Sequence, residues 1–329
     1  MKIVVDAMGG DGAPVIEVDG VVQAVNEFGY DVILVGDEKR LLEELKKHSY
    51  PKERITVRNA TQVIEMREPA ALSVRRKRDS SIVVALDILK KRQADAFVSA
   101  GNTGAVICAA TLGLRLLPGV ERPGIATIMP NLLGMSILID VGANIDPKPM
   151  HLFQYAIMGD AYSRYILGKK NPTVGLLNIG EEESKGTGYV KETHTLLNES
   201  RLNFLGNIEG RDIYAGKTDI IVCDGFVGNV ILKISESVID TLVELWKIQV
   251  KRSVISTIGA LLSRSAFRGL KKKMDYSEYG GAPLLGVDGR CIICHGSSTA
   301  KALKNAVRVA AEFTYKEVNK HIVEELESY

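Results

Sequence analysis

Apolar residues alternate along the chain between short runs and longer stretches with helical spacing. The short runs predict β-strands over residues 3–6, 32–35, 55–57, 94–99, 124–129, 136–140, 173–177, 219–223 and 290–294. The longer stretches predict helices over 14–28, 38–47, 81–92, 104–116, 148–167, 187–199, 227–250 and 298–326. Such alternation is typical of a mostly parallel sheet covered by helices on both faces. No repeat or linker divides the 329 residues, so we expect one α/β unit (1–329) with two lobes around a cleft.

Glycine and small polar residues follow many of these predicted strands. The loops lie at 6–12, 99–104, 140–144, 178–188, 224–229 and 295–298. In an open α/β sheet, ligands bind outside the carboxyl ends of the strands. Glycine lets backbone N–H groups approach an anion, and a following helix adds its positive N-terminal end. We therefore expect these loops to form one site for a phosphate-like group.

Composition and charge exclude several classes of function. The net charge is +2, from 42 Lys and Arg against 40 Asp and Glu, which disfavours a polyanion-binding protein. Aromatic residues make up only 6% of the chain, which argues against a base-stacking nucleic-acid surface. The N-terminus enters a strand without an apolar leader, and no apolar stretch reaches the ~18–20 residues that span a bilayer. These features predict a cytoplasmic protein with reduced thiols.

The segment Cys291-Ile-Ile-Cys294-His295 matches the attachment pattern of c-type haem. We interpret it instead as a short buried strand, in which residues three apart point to opposite faces and the two sulfurs cannot pair. No other cluster of His, Asp and Glu has metal-ligand spacing. The sequence therefore predicts neither a metal nor a haem.

Three familiar catalytic motifs are missing. The first glycine loop does not supply the G-x-G-x-x-G of a dinucleotide fold, and Lys185 precedes Gly186 where a P-loop has glycine before lysine. No G-x-S-x-G nucleophile elbow is present. Dehydrogenase, nucleotide hydrolase and serine hydrolase chemistry are therefore disfavoured.

Three polar residues in the glycine loops are candidates for chemistry. Lys185 lies at the start of a predicted helix, where a cation can meet phosphate or a developing oxyanion, although it could equally be a solvated loop lysine. Asn229 can donate to a carbonyl or phosphoryl oxygen, or cap a helix. Asp224 can orient a partner side chain, or cap the turn. The cationic run Arg75-Arg76-Lys77-Arg78 could dock an acidic partner or simply be solvated.

One segment, 247–274, departs from the alternating pattern. It holds eight basic residues and no acidic ones, and we expect its helix to bend or stop before Gly269. An apolar stripe flanked by cations is typical of a helix on an anionic membrane surface, and a dimerisation helix with a basic flank is the alternative. The residues of the apolar stripe are Val254, Ile255, Ile258, Leu261 and Leu262.

Taken together, the motifs resemble those of the bacterial phosphate acyltransferases of phospholipid synthesis, the PlsX family. The strings that carry the resemblance begin at Asp6 (DAMGGD), Val74 (VRRK), Phe97 (FVSAGNTGA), Asp140 (DVGAN) and Asn178 (NIGEE), with KG at 185–186 and DGFVGN at 224–229. They span essentially the whole chain. Members of this family often carry His after the first string, whereas this chain has Gly12, which excludes a catalytic imidazole there.

The resemblance implies a fold and an activity. The fold is a three-layer α/β/α sandwich with a mostly parallel mixed sheet, two-lobed and homodimeric, similar to isopropylmalate dehydrogenases and phosphotransacetylases. The activity is reversible transfer of a long fatty acyl group from acyl carrier protein to inorganic phosphate, without a cofactor. The product would pass to a membrane acyl-phosphate:glycerol-3-phosphate acyltransferase. Such a protein is expected in the cytoplasm, associated peripherally with the cell membrane.

In that reaction phosphate is the nucleophile, so no serine, cysteine or metal is needed. We expect Lys185 and Asn229 to contact the phosphate and the oxyanion, and Asp224 to orient a donor. Acyl carrier protein is acidic, so either Arg75–Arg78 or the basic flank of 247–273 would receive it. A phosphotransacetylase that uses acyl coenzyme A and a non-catalytic membrane scaffold that binds acyl carrier protein are the alternatives. The expected phosphate-binding residues are Gly9, Gly10, Asp11, Asn102, Thr103, Gly104, Asn144, Gly225, Gly228, Ser297 and Ser298.

Overall fold

A mixed sheet of 11 strands forms the centre of the molecule. The computed structural model describes residues 1–329, apart from the side chains of Leu270, Lys271, Lys272 and Tyr276. Of these, Leu270, Lys271 and Lys272 belong to the predicted basic segment, so their side chains lie outside the described residues. The strands are β1 Lys2–Asp6, β2 Asp31–Gly36, β3 Ile55–Asn59, β4 Ala96–Ser99, β5 Gly124–Asn131, β6 Gly134–Ile139, β7 Thr173–Leu177, β8 Asn203–Ile208, β9 Ile220–Val222, β10 Ala282–Leu285 and β11 Cys291–Ile293.

Helices cover both faces of this sheet. Short 3₁₀ turns lie at Lys52–Arg54 and Tyr276–Glu278. The α-helices are α1 Val15–Phe28, α2 Glu38–Leu45, α3 Ala70–Arg76, α4 Ser81–Lys90, α5 Thr103–Leu114, α6 Pro149–Tyr165, α7 Gly188–Asn198, α8 Asp212–Ala215, α9 Gly225–Val250, α10 Val254–Leu262, α11 Arg264–Met274, α12 Ala300–Tyr315 and α13 Val318–Leu326.

The strand order divides the sheet into two parallel halves. The order is β3-β2-β1-β4-β11-β10-β5-β6-β9-β7-β8. In one half, strands β3, β2, β1, β4 and β11 are parallel to one another. In the other half, β6, β9, β7 and β8 are parallel. Between them, β10 and β5 pair antiparallel with each other and with β11 and β6. The mostly parallel α/β fold expected from the alternating pattern is confirmed.

Alternating side chains divide the core between the two faces of the sheet. In β1, Ile3 and Val5 pack in the cluster that includes α1 and α12, while Val4 packs in the cluster that includes α4 and α5. In the second half, Ile137 packs with α6 and α13, and Leu138 faces the side that carries α9. Strands buried on both faces read as continuous apolar runs, which is why the sequence revealed most of them.

Some elements differ from the predicted ones. The single helix expected over 298–326 is two helices, because Glu317 adopts a left-handed conformation (φ 47°) between α12 and α13. Strands β8 and β10 and the short helices α3 and α8 were not predicted. The sequence of β8 contains Gly206 and polar residues, and that of β10 contains Pro283, so neither shows a plain apolar run.

Helices α9, α10 and α11 extend beyond the main body as a bent arm. The predicted bend or stop before Gly269 is confirmed, because the helix that carries the apolar stripe, α10, ends at Leu262. A further break lies at 251–253, and α11 then continues through Gly269. All the apolar residues expected on one face lie in α10 and are exposed, Ile255 at 83% and Leu262 at 80%. Among the described residues, none of the helices combines the length and the low polarity that a membrane span requires.

The cysteines of the C-x-x-C-H segment behave as expected for a strand. Cys291 and Cys294 are buried free thiols that pack in separate core clusters on opposite faces of the sheet. Burial raises the pKa of each thiol to about 12, so neither is a reactive thiolate.

Candidate functional site

A cleft of about 1330 Å³ lies between the two halves of the sheet. Five of the predicted glycine loops contribute to its lining, through residues that include Asp11, Gly101, Gly142, Gly225 and Gly296. The first half of the sheet supplies the loops after β1, β4 and β11, and the second half supplies those after β6 and β9. The structure therefore brings together loops that are far apart in sequence.

A buried carboxylate organises the loops of the first half. Asp6, at the end of β1, accepts hydrogen bonds from the Ser99 hydroxyl (2.7 Å) and the Met8 N–H (3.1 Å). The Ser99 hydroxyl oxygen in turn accepts the Gly101 N–H at 3.0 Å. A Cβ on Gly9 would lie 2.5 Å from the Gly101 Cα, so only glycine allows this approach of the two backbones. Burial raises the pKa of Asp6, and these hydrogen bonds partly offset that effect.

A second acidic side chain lies beneath the same loop. Glu17, on α1, is 1% exposed and accepts the Gly10 N–H, while its Oε2 has no hydrogen-bond partner among the described residues. Burial, with the nearby Asp6 and Asp11 carboxyls, raises the pKa of Glu17 to about 7. Three carboxyl groups, those of Asp6, Asp11 and Glu17, therefore lie close together at the 6–12 loop.

Asp140 organises the loops of the second half in a similar way. Its carboxylate follows β6 and accepts four backbone N–H groups, at Ile125 (3.0 Å), Gly142 (3.1 Å), Ala143 (2.9 Å) and Asn144 (2.7 Å). Burial raises its pKa, and the backbone donors act in the opposite direction. The 140–144 loop is therefore held rigidly by one side chain.

The N-terminal end of α9 packs directly against this loop. A Cβ on Gly225 would lie 2.7 Å from an Asp140 carboxylate oxygen, and one on Gly228 would collide with the Asp140 carbonyl oxygen. Asp224 caps α9 by accepting the Val227 N–H at 2.9 Å. The requirement for glycine at 225 and 228 thus arises from close packing of the helix on the loop.

Asp224 also accepts a hydrogen bond from the Tyr189 hydroxyl at 3.1 Å, and this bond links α7 to the start of α9. Its described hydrogen bonds thus go to a backbone N–H and to Tyr189, and neither Lys185 nor Asn229 is a partner. Asn229 lies one turn into α9 and lines the cleft, about 3.9 Å from the position of a Cβ on Gly142.

Lys185 lies outside the lining of the cleft. It is exposed in the loop between β7 and α7, where its N–H donates to the Glu182 carbonyl (3.1 Å) and its carbonyl accepts from the Asn178 amide (3.2 Å). The loop leads into α7, and therefore to Tyr189 and its bond with Asp224. The structure places Lys185 next to the element that touches the site, rather than in the site.

Several predicted phosphate ligands already have partners within the protein. The Asn102 side chain caps α5 and donates to the carbonyls of residues 65, 66 and 68, and the Asn144 amide donates to Pro123 and Tyr155. The N–H groups of Asp11 and Ser298 are bonded to backbone carbonyls.

Other predicted ligands lie at the mouth of the loops. Thr103 lines the cleft, and the N–H groups of Thr103 and Gly104, in the first turn of α5, have no acceptor among the described residues. The Ser297 hydroxyl lies 2.7 Å from a His295 ring nitrogen, and His295 itself lines the cleft. The first turn of α5 is thus one part of these loops with amides free to meet an anion. The N–H groups of Phe226 and Gly296, two residues that also line the cleft, likewise have no acceptor among the described residues.

Away from the glycine loops the cleft is mainly apolar, although charged residues of α9 also line it, namely Lys233, Glu236, Asp240, Glu244 and Lys247. Its walls are β5 on one side and one face of α9 on the other, and Trp246 of α9 packs against Phe267 of α11 with ring centroids 4.1 Å apart. The apolar residues of α9 in this wall are Leu232, Ile239, Val243 and Trp246.

Helix α9 carries a second apolar face, nearly opposite the first. At 100° per residue its members are rotated by about 120–180° from the cleft face. They are exposed, with fractions of 41% for Val230, 58% for Ile234, 50% for Val238 and 51% for Leu245. One apolar face of α9 lines the cleft, and the other is exposed in the single chain.

The cationic run near α3 is only partly free. Lys77 is paired with Glu68 and also donates to the Val63 carbonyl (2.6 Å). Arg75, Arg76 and Arg78 are exposed and form no ion pair among the described residues.

Sequence reasoning did not assign roles to Asp6, Glu17, Asp140 and Tyr189. An Asp directly before a glycine loop at the end of both β1 and β6 was the available signal for two of them. No group of three or more His, Cys, Asp or Glu side chains that could hold a metal occurs in the part of the chain that the structure describes.

A family model described as fatty acid synthesis protein matches residues 1–321. The chain is 52% identical over 327 residues to a phosphate acyltransferase of Geotalea uraniireducens, a match that covers 99% of this chain and 94% of that relative. It is 47% identical over 328 residues to a phosphate acyltransferase of Geobacter sulfurreducens, covering 100% and 95%.

Solved structures with the same fold include a phosphotransacetylase from Streptococcus pyogenes, with a TM-score of 0.63, 17% identity, and coverage of 96% of this chain and 94% of that one. A branched-chain phosphotransacylase from Enterococcus faecalis gives a TM-score of 0.59 at 14% identity, covering 96% and 99%. At these identities the likeness concerns the fold alone.

Proposed function

Since the chain belongs to the fatty acid synthesis protein family and is a phosphate acyltransferase, we propose that its donor is a long-chain acyl thioester of acyl carrier protein. The acceptor is inorganic phosphate, and the product is an acyl phosphate for phospholipid synthesis.

The observation that carries this proposal is the composition of the cleft. One end is formed by backbone loops with free amides at Thr103 and Gly104, and the other by apolar side chains of α9 and β5. Ligand sites combine an apolar lining with a few placed polar groups. A phosphate bound at the loops would therefore have its acyl donor beside it in an apolar space far larger than an acetyl group requires.

The reaction follows from this placement. A phosphate oxygen attacks the thioester carbonyl carbon, the carbonyl oxygen takes up negative charge, and the C–S bond then breaks to release the carrier thiol. N–H donors aimed at the developing oxyanion can lower the barrier by several kcal/mol. The positive end of α5 suits the phosphate, and the Asn229 side chain at the cleft wall suits the oxyanion.

Lys185 acts in this proposal from the rim. Its loop continues into α7, which is bonded through Tyr189 to Asp224 at the start of α9. From there the ammonium can meet the phosphate as the donor arrives, and Asp224 holds α9 in place rather than orienting a catalytic donor.

Three further surfaces fit partners of this reaction. Acyl carrier protein is acidic, and Arg75, Arg76 and Arg78 offer unpaired cations for it. The outward face of α9 fits a second copy of this chain, as a homodimer. The exposed apolar face of α10, flanked by basic residues, fits an anionic membrane surface, close to the acyltransferase that would consume the product.

The test is phosphate-dependent release of free thiol from palmitoyl-acyl carrier protein, with palmitoyl coenzyme A assayed in parallel. Release that requires phosphate and favours the carrier-bound donor supports the proposal. Preference for coenzyme A would indicate a phosphotransacetylase-like enzyme, and no release from either donor would leave only a scaffold.

Lys185→Ala should reduce turnover by at least about tenfold without loss of folding, because a cation near a transferring oxyanion contributes several kcal/mol. Lys191→Ala, an exposed lysine on α7, is the matched control and should leave turnover unchanged. Near-normal turnover of Lys185→Ala would remove Lys185 from the mechanism.

A further inference from the structure

The geometry points to Trp246 and Phe267 as the residues that set the acyl chain length accepted by the cleft. In this inference, which rests on the proposed function, the aromatic pair closes the far end of the apolar channel, where the terminal methyl group of the donor comes to lie.

The aromatic pair lies in the cleft lining at the end of α9 that is farthest from the glycine loops. Trp246 and Phe267 both line the cleft, and their rings pack at 4.1 Å between centroids with a 37° tilt, joining α9 to α11. Between them and the loops, the apolar side chains that α9 contributes to the wall are aliphatic, at Leu232, Ile239 and Val243. Large aromatic rings are the bulkiest groups available to end an apolar space.

The distance to the loops matches a long chain. Asn229 and Trp246 both line the cleft, and the rise of ~1.5 Å per residue separates them by ~25 Å along α9. This is comparable with an extended long-chain fatty acyl group and exceeds what a short acyl group could reach. A chain that enters with its thioester at Asn229 therefore meets the rings only near its end.

The side chains of α9 and β5 that line the cleft indicate which kind of ligand group it holds. Between the loops and the rings, α9 presents Leu232, Ile239 and Val243 to the cleft, and β5 supplies Ile125, Ile128 and Met129 on the other side. The apolar side chains on both walls suit methylene groups, while the charged residues of α9 that line the cleft, such as Lys233 and Glu236, leave its open side polar. The opposite face of α9 does not contribute to this channel.

The first experiment measures kcat/KM for carrier-bound donors from lauroyl to stearoyl. In the natural chain, each added methylene should raise kcat/KM by about fourfold until the chain meets the rings, after which the increase stops. Trp246→Ala or Phe267→Leu should raise the ratio for stearoyl over myristoyl donors by at least about fourfold. Leu205→Ala, at an exposed leucine of the edge strand β8, should leave the profile unchanged.

The second experiment needs neither turnover nor a variant. Trp246 is the single tryptophan of the chain, so its fluorescence reports on this position alone. Hexadecylphosphonate, a non-reactive analogue, should shift or quench the emission at saturation. Octylphosphonate should bind more weakly and leave the emission unchanged, because its tail ends short of the rings.

The outcomes separate the two levels of the proposal. If the natural chain releases no thiol with phosphate, the proposed function fails. If it turns over but neither variant alters the chain-length profile, or if both phosphonates perturb Trp246 equally, the assignment of the aromatic pair is wrong while the proposed function stands.

Discussion

Replacement of Glu17 by Gln should stabilise the protein at neutral and alkaline pH. The carboxyl is 1% exposed beneath Gly10, and burial raises its pKa from 4.5 to about 7. Below 4.5 the group is neutral in the folded and the unfolded chain and costs nothing. Above about 7 it is ionised in both, so folding must bury a charge. The stability associated with this group is therefore complete below 4.5 and lost as the pH rises through about 7.

The size of the effect follows from the pKa values. Each pKa unit between the folded and unfolded states corresponds to ~1.4 kcal/mol, so a rise from 4.5 to about 7 corresponds to ~3 kcal/mol. The difference in unfolding free energy between Glu17→Gln and the natural chain should therefore grow by about 3 kcal/mol over this pH range. Asp6 and Asp11, the neighbouring carboxyls, contribute to the same rise and are unchanged in the variant.

Urea unfolding at a series of pH values measures this difference directly. Glu43→Gln removes an exposed carboxyl of α2 that has no ion pair among the described residues, and its stability should differ little from that of the natural chain at any pH. A Glu17→Gln advantage that does not change with pH, or that decreases as the pH rises, would refute the buried-charge explanation.

Three other changes test separate parts of the structure. Asn102→Asp keeps the cap on α5 but removes the amide that donates to three carbonyls, and should lower the unfolding free energy by at least about 1 kcal/mol in urea titrations. Ile258→Glu with Leu261→Glu places carboxylates on the exposed apolar face of α10. It should abolish sedimentation with anionic vesicles while activity on dissolved donors is kept. Arg75→Glu with Arg76→Glu should raise KM for the carrier-bound donor about tenfold at low salt, and not for the coenzyme A donor, in steady-state kinetics.

Each of these changes has a matched control. Asn26→Asp loses an amide that donates to a single carbonyl and should cost less than Asn102→Asp. Leu42→Glu, at an exposed leucine of α2, should leave vesicle binding intact, and Lys52→Glu, at an exposed lysine, should leave KM intact. Equal costs for the two Asp variants, retained vesicle binding, or KM increases for both donors would contradict the respective explanations.

The central strands could be predicted because burial on both faces makes them uniformly apolar. Strand β7 was predicted with its observed bounds, Thr173–Leu177, whereas β8 at the sheet edge is half-polar and was missed. The family membership inferred from the motifs is confirmed, because those motifs are long and span both halves of the sheet. The break at Glu317 depends on one backbone conformation that no side-chain pattern specifies.

The candidate site was predictable as a set of loops and not as a set of side chains. The sequence shows that Asn102 follows a strand. Only the fold reveals that its side-chain amide already donates hydrogen bonds to the backbone carbonyls of residues 65, 66 and 68. Lys185 is likewise in a suitable loop, yet the distance between that loop and the cleft depends on how α7 packs. Whether a polar group is free or already bonded is a property of tertiary contacts.

Helix α9 is packed tightly at its N-terminal end and projects from the main body at the other end, so it can act as a lever. Gly225 and Gly228 allow the first turn of α9 to pack closely against the 140–144 loop, while its last turns extend away from the main body together with α10 and α11. Its 26 residues span ~39 Å, so a tilt of ~5° about the base would displace the far end by ~3 Å. A small force at the far end of α9 would therefore act with mechanical advantage on its base, beside the loops proposed to bind phosphate.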